Sequence, residues 1–257
     1  MRATNGRLNP SAIIAASLAG LLFGFDTAVI AGVTEALRGT FELSAAELGA
    51  AVSAALVGTL VGALGAGQPG DRYGSRNILL WIAVAYIVSA LGSALSSGLA
   101  MLVAFRFLGG LAIGGSSVLA PVYIAEVSPP ERRGMLVGFF QLSIVLGILG
   151  AYVSNFLIGS VSDGDLAWRL KLGVAALPAF LFLGLMLRVP QSPRWLFHRG
   201  RTGEAKAAIE TLSMGDPDTL FTQFAQGATA PGDERLSWGK HRRPILLAIG
   251  LAMFNQL

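Results

Sequence analysis

Two charged side chains fall inside stretches that are otherwise apolar: Asp26 in LLFGFDTAVIAG and Arg106 in AFRFLGGLAIGG. An ionisable group in hydrocarbon is costly, and proteins keep such groups mainly for handling ions or substrates. Apolar surroundings favour the neutral acid, whereas a nearby guanidinium favours the carboxylate. An Asp–Arg pair in a water-accessible cavity can therefore change its proton occupancy through a small rearrangement. A static bridge between helices is the plainer role, but buried pairs stabilise poorly compared with apolar replacements. We expect Asp26 and Arg106 to handle a proton or a substrate. Gln141, in FFQLSIVLGILG, places an amide that both donates and accepts in the middle of another apolar stretch. That amide suits sugar hydroxyls, or equally a hydrogen bond between helices. Asn255 and Gln256, at the end of AMFNQL, carry the same two options.

The elements that must position these residues follow from composition. Of 257 residues, 53% are hydrophobic and 13% charged, with 33 glycines and no cysteine. Soluble domains carry about 25% charged residues, so this chain lacks the charge to cover a water-facing surface. Without cysteine there is no disulfide framework, thiolate metal site or cysteine nucleophile. Crossing hydrocarbon takes about 20 residues of helix. Six stretches qualify, at roughly Ser11–Gly32, Ala46–Gly67, Ile78–Ser97, Ala100–Ala125, Met135–Ser160 and Ala167–Val189. The first is longer than a secretory signal region, holds Asp26 and has no small-residue cleavage site after it, so it reads as a retained helix. A seventh stretch starts at Pro244 and reaches Leu257. As a helix it rises only about 21 Å and would leave a carboxylate in the apolar layer, so the sequence predicts a longer parent protein.

Lysines and arginines then orient the bundle. Of 19, only Arg38, Arg169 and Lys171 fall in segments on the far side, and Arg106 lies within a span; the others share the side of the N-terminus. Positive residues concentrate on the cytoplasmic side, which predicts an internal N-terminus. The net charge of +4 therefore reflects membrane topology, and no basic face interleaved with aromatics points to nucleic acid. On the cytoplasmic side GQPGDRYGSRN (Gly67–Asn77) and AEVSPPERRG (Ala125–Gly134) read as loops that juxtapose Asp71, Glu126 and Glu131 with Arg72, Arg76, Arg132 and Arg133. Such charges are either a solvated cluster or a latch at helix ends that closes and parts. Between spans six and seven, Ser192-Pro193 predicts a capped short helix, Glu204–Leu212 an amphipathic one, and Gly227–Gly232 (GATAPG) a flexible link.

Gly20/Gly24, Gly58/Gly62 and Gly110/Gly114 recur at helical spacing, which lets membrane helices approach closely. GGLAIGG lies inside a span and does not fit a dinucleotide loop. His198 and His241 have no metal-ligand spacing. No nucleophile–base arrangement supports an enzyme, and no cofactor or metal is expected.

The chain resembles the sugar porters of the major facilitator superfamily. LLFGFDTAVIAG is similar to the family's first span, with Phe25 in place of its tyrosine. GDRYGSRN resembles the motif after span two, with Gly67, Asp71, Arg72, Gly74 and Arg76 in place and Ser75 replacing an arginine. Leu108–Arg133 fits the sugar transporter signature, anchored by Gly110, Gly114, Tyr123, Glu126 and Arg133. PQSPRWL, with Arg194, resembles the PESPRWL element, Gln191 standing for its glutamate. The final FNQL resembles the start of the family's span seven.

This resemblance implies an all-α membrane protein: a six-helix N-terminal bundle over 1–190, a cytoplasmic segment with short helices over 191–243, and the beginning of a seventh span over 244–257. It implies a proton-coupled monosaccharide transporter of the cell membrane, whose partners are the sugar, the proton, the lipid bilayer and a C-terminal bundle beyond this chain. Asp26 and Arg106 match the coupling pair. Phe23, Gln141, Ile144, Asn255 and Gln256 match sugar-site positions, and Gly67, Asp71, Arg72, Arg76, Glu126, Arg132, Arg133 and Arg194 a cytoplasmic gate. The alternatives are a facilitator of the same fold without proton coupling, and a non-transporting half-bundle serving as receptor or scaffold.

Overall fold

A computed structural model of the chain describes residues 10–129, 132–212, 214–229 and Arg242. Glu131, His241, and the expected span from Pro244 with Asn255 and Gln256 lie outside the described residues. Most of those that are described are helical, with no strand among them. In a bilayer every backbone polar group needs an internal partner, which helices supply within one segment.

The helices are α1 (Pro10–Val29), α2 (Thr34–Thr40), α3 (Ala45–Gly65), α4 (Gly67–Tyr73), α5 (Ser75–Ala94), α6 (Leu99–Glu126), α7 (Arg133–Val161), α8 (Gly164–Gly173), α9 (Ala176–Arg188), α10 (Pro193–His198), α11 (Thr202–Leu212) and α12 (Pro217–Thr229). Six segments are long and apolar enough to cross a membrane, α8 and α9 together forming the sixth. Residues up to Gly215 form one compact unit, and α12 belongs to a second.

Three expectations change. The Gly67–Asn77 stretch is helical rather than a loop, broken at Gly74 alone. Gly74 sits at φ +88°, where a side chain is strained, and a Cβ there would run into the Gln191 amide. The sixth span starts earlier, at Gly164, and breaks at Val174–Ala175. Pro178 explains the break, since it has no N–H for the carbonyl four residues back and its ring crowds that carbonyl. In Gly227–Gly232 helix α12 continues through Thr229; the remainder lies outside the described residues.

The bundle is built from two intimate helix pairs, α3 on α6 and α1 on α7, joined by α5 on α6 and α1 on α6. The expected glycine pairs make these contacts. Any Cβ at Gly58, Gly62, Gly110 or Gly114 would overlap backbone of the facing helix, Phe107, Leu111, Ala55 and Thr59 respectively. Gly20, Gly24 and Gly147 do the same between α1 and α7. Such backbone-to-backbone approach is how helices associate where lipid offers no hydrophobic drive.

Replacing Gly114 by Leu should cost at least the roughly 1–3 kcal/mol of an overpacked core, because the obstructing Thr59 carbonyl is backbone. A Cβ at Gly184 meets nothing within 4 Å, so Gly184→Ala should be neutral or gain up to about 1 kcal/mol of helix propensity. Unfolding of the two variants in the same detergent micelle checks both signs.

Candidate functional site

Helices α1, α5 and α6 converge on Asp26. Its Oδ1 lies 2.6 Å from Arg106 Nη1, and the Tyr86 hydroxyl donates to the same oxygen at 3.5 Å. Asp26 is 8% exposed and Arg106 5%, so the pair is interior. The local sequence creates this closeness. Ser89 of α5 donates to the Phe105 carbonyl at 2.6 Å, one residue before Arg106. One turn further, a Cβ at Gly109 would overlap Ser89 Oγ, so a glycine there keeps α5 against α6. Tyr86, Ser89 and Ser93 lie at i, i+3 and i+7 on α5 and face the pair across a small cavity. The sequence reading overlooked these three residues. Their signal is a polar stripe at helical spacing within an apolar span.

The expected sugar-site residues lie elsewhere in the bundle. Gly24 packs against the Ile144 carbonyl, so Phe23 and Ile144 flank one α1–α7 crossing, both partly buried against the core. Gln141 is exposed, one turn before Ile144 on α7. It makes no hydrogen bond to any described residue, so the interhelical bond weighed for it is not formed. An amide left facing hydrocarbon is unfavourable, which favours an aqueous or protein neighbour at that face.

At the end of the bundle where α4 and α10 lie, the expected gate residues divide into groups. Asp71, Glu126 and Arg194 line one hollow together with Trp195, His198 and Arg199. Ser75 donates to Glu126 at 3.4 Å. Arg76 instead caps the end of α9, donating from Nε to the Met186 carbonyl at 3.2 Å and from Nη2 to Leu187 at 3.0 Å. Arg133 donates to the Ser128 carbonyl at 3.3 Å, and Arg132 is exposed at the start of α7. Arg72 stacks on Tyr73, while its carbonyl accepts from Arg199 at 2.7 Å. Gly67 opens α4 with free space about its Cα. Among the described residues the ion pairs are Asp26–Arg106 and the exposed Arg201–Glu204, so the gate acids and arginines are neighbours without pairing.

Further hydrogen bonds join the helix ends. Ser192 caps α10 as expected, its hydroxyl accepting from Trp195 N at 3.2 Å. Trp195 Nε1 in turn donates to the Asp71 carbonyl at 2.9 Å, and Gln191 Oε1 accepts from Arg76 N at 3.3 Å. Tyr123 donates to the Pro190 carbonyl at 2.6 Å. On the opposite side Lys171 reaches the Gly32 carbonyl at 3.0 Å, and Arg169 reaches those of Ala94 and Ser96 at 2.9 Å.

Six membrane-crossing segments around an interior ion pair define a polytopic membrane protein with a charged site in its core. The family described as Sugar (and other) transporter matches residues 12–257, and the chain belongs to this family, the sugar porters of the major facilitator superfamily. It is a family of transporters, not enzymes. The D-xylose transporter of Levilactobacillus brevis is 37% identical over 247 residues, covering 94% of this chain and 53% of that protein. The D-xylose-proton symporter of Escherichia coli is 37% identical over 246 residues, covering 84% and 50%. A partially occluded inward-open structure of the xylose transporter from E. coli superposes with a TM-score of 0.79 at 32% identity, over 85% of this chain and 58% of that one. The chain spans about half the length of the curated relatives it matches.

Removing one partner of a buried ion pair leaves an uncompensated charge, at a cost of about 3–5 kcal/mol. Arg106→Met alone should therefore destabilise the bundle by that order, and Asp26→Leu combined with Arg106→Met should recover most of the loss. Denaturant titration of both variants in micelles provides the comparison.

Proposed function

We propose that the chain is the N-terminal half of a proton-coupled monosaccharide transporter of the cell membrane. Residues 1–190 form its first bundle, 191–243 a cytoplasmic segment and 244–257 the start of a seventh span, with the N-terminus in the cytoplasm. A second bundle completes the site, and the two rock by alternating access. The single observation that carries this reading is the interior Asp26–Arg106 pair at 2.6 Å, at a depth where ionisable groups mark ion pathways. The relatives named for D-xylose and for D-xylose–proton symport support the same substrate class.

In this cycle Asp26 takes a proton from the outer side and loosens from Arg106. Sugar binds between bundles at Phe23, Gln141 and Ile144, with Asn255 and Gln256 contributing from span seven. Gln141 is suited to the task because its amide is exposed and uncommitted. The gate residues around Asp71, Glu126 and Arg194 close the cytoplasmic side while the cavity opens outward, and Gly67, Arg72, Arg76, Arg132 and Arg133 complete that gate. Among the described residues no gate acid forms an ion pair with a gate arginine, as groups awaiting partners on another bundle would not.

Two measurements on the transporter with its second bundle, reconstituted in proteoliposomes, test this. Asp26→Asn should abolish proton-driven sugar accumulation and spare sugar counterflow; persistent accumulation refutes the coupling role. Gln141→Ala should weaken sugar binding about 2- to 10-fold, the net loss of one hydrogen bond, with an unchanged proton requirement in the residual flux.

A further inference from the structure

The cavity beside Asp26 has a volume of about 10 Å³, room for about one water molecule. Its polar walls are Asp26, Tyr86, Ser89, Ser93 and Arg106, and the remaining wall residues, from α1, α5, α8 and the α8–α9 junction, are apolar. Asp26, Tyr86 and Arg106 are thus the titratable or charged groups that face it.

Two fully buried polar atoms around this space lack a hydrogen bond. Arg106 Nη1 and the Tyr86 hydroxyl are taken up by Asp26. The Ser89 hydroxyl is taken up by the Phe105 carbonyl. Arg106 Nε and Ser93 Oγ are fully buried and have no partner among the described residues. Ser93 shares this state with Ser17 of α1, but Ser93 alone of the two lines the cavity beside Asp26. Ser116, Ser117, Ser154 and Ser160 each donate to the carbonyl three residues earlier, the habitual refuge of a helical hydroxyl. The Ser93 hydroxyl does not take that refuge, although it is as buried as any of them. A guanidinium N–H and a hydroxyl left unpaired in an apolar interior are both unfavourable, and a water among polar groups is the usual remedy.

We propose that this cavity binds one water molecule, accepting from Arg106 Nε–H and hydrogen-bonded to Ser93, through which Asp26 gains and loses its proton. The second half of this statement rests on the proton-coupling reading above; the first does not. A proton added to the water is matched by one passed from it to the Asp26 carboxylate, so the water is regenerated and one H⁺ is transferred. The neutral acid then releases Arg106, and discharge runs in reverse. Ser93 is a positioning residue that holds the water against the pair. It lies one residue before the end of α5, on the side that the proposed orientation makes extracellular.

Ser93→Thr and Ser93→Val have the same shape and differ in the hydroxyl alone, which separates positioning from packing. In the complete transporter, Ser93→Val should slow proton-driven accumulation by about tenfold, the effect of one lost hydrogen bond, and shift its pH profile. Counterflow should be unchanged, and Ser93→Thr should match the wild type. Equal rates and pH profiles for Ser93→Val and wild type, or a parallel loss of counterflow, overturn the positioning role. Independently, a crystal structure that resolves ordered water should place density within hydrogen-bonding distance of both Arg106 Nε and Ser93 Oγ, and its absence overturns the water site. If Asp26→Asn still accumulates sugar, proton coupling fails instead, and the density alone decides the water.

Discussion

A carboxylate and a guanidinium at bilayer depth are tolerable only together, and the bundle is arranged around that constraint. Asp26 and Arg106 come from α1 and α6, and Tyr86 of α5 adds a hydroxyl to the same carboxylate oxygen. Both side chains are almost wholly buried, so the Coulombic attraction between them must offset two desolvation costs. A third helix carrying polar groups lowers the cost further by hydrogen bonding. Removing any of the three contributors leaves the others with an unmet polar group in an apolar interior.

Bringing three helices to one point is a packing problem, and glycine solves it. Pairs at four-residue spacing let α3 seat on α6 and α1 on α7 with backbone against backbone. Gly109 admits α5 in a related way, since a Cβ there would overlap Ser89 Oγ, the hydroxyl that bonds α5 to α6. The glycine content that makes the composition look unspecific therefore fixes how near Asp26 and Arg106 can stand.

Much of this was legible from sequence because membrane physics is restrictive. Apolar length identifies spans, and a lone charge inside one stands out, so Asp26, Arg106 and the six crossing segments could be read directly. What escaped reading had weaker signals. Tyr86, Ser89 and Ser93 are common residues whose role appears only when their helical spacing is aligned against Asp26. The break in the sixth span was hidden by uniformly apolar residues around Pro178. The charges around Asp71 and Glu126 read as either a solvated cluster or a latch, because acids and arginines adjoin in sequence. In space Arg76 and Arg199 cap helix carbonyls instead, a use of cations at helix C-termini that sequence proximity to acids conceals.

The caps also say where movement can occur. Lys171 and Arg169 hold carbonyls at the ends of the first span and of α5, while Arg76 holds the end of α9. Asn155 of α7 donates to the Val29 carbonyl at 3.2 Å, where α1 gives way to a short 3₁₀ turn. Both ends of the bundle are thus tied by bonds that cross between helices, and its middle is tied by backbone-close glycine contacts. Such a body resists internal shear, so sugar access in the proposed cycle is better served by rigid rotation of this unit against another than by bending of its helices. The freedom that the proposed cycle needs inside it is local: the protonation of one acid, the rotation of one guanidinium and the hydrogen bonds of one small cavity. In the proposed cycle, a stiff scaffold with one soft electrostatic contact passes a change at that contact to the whole unit.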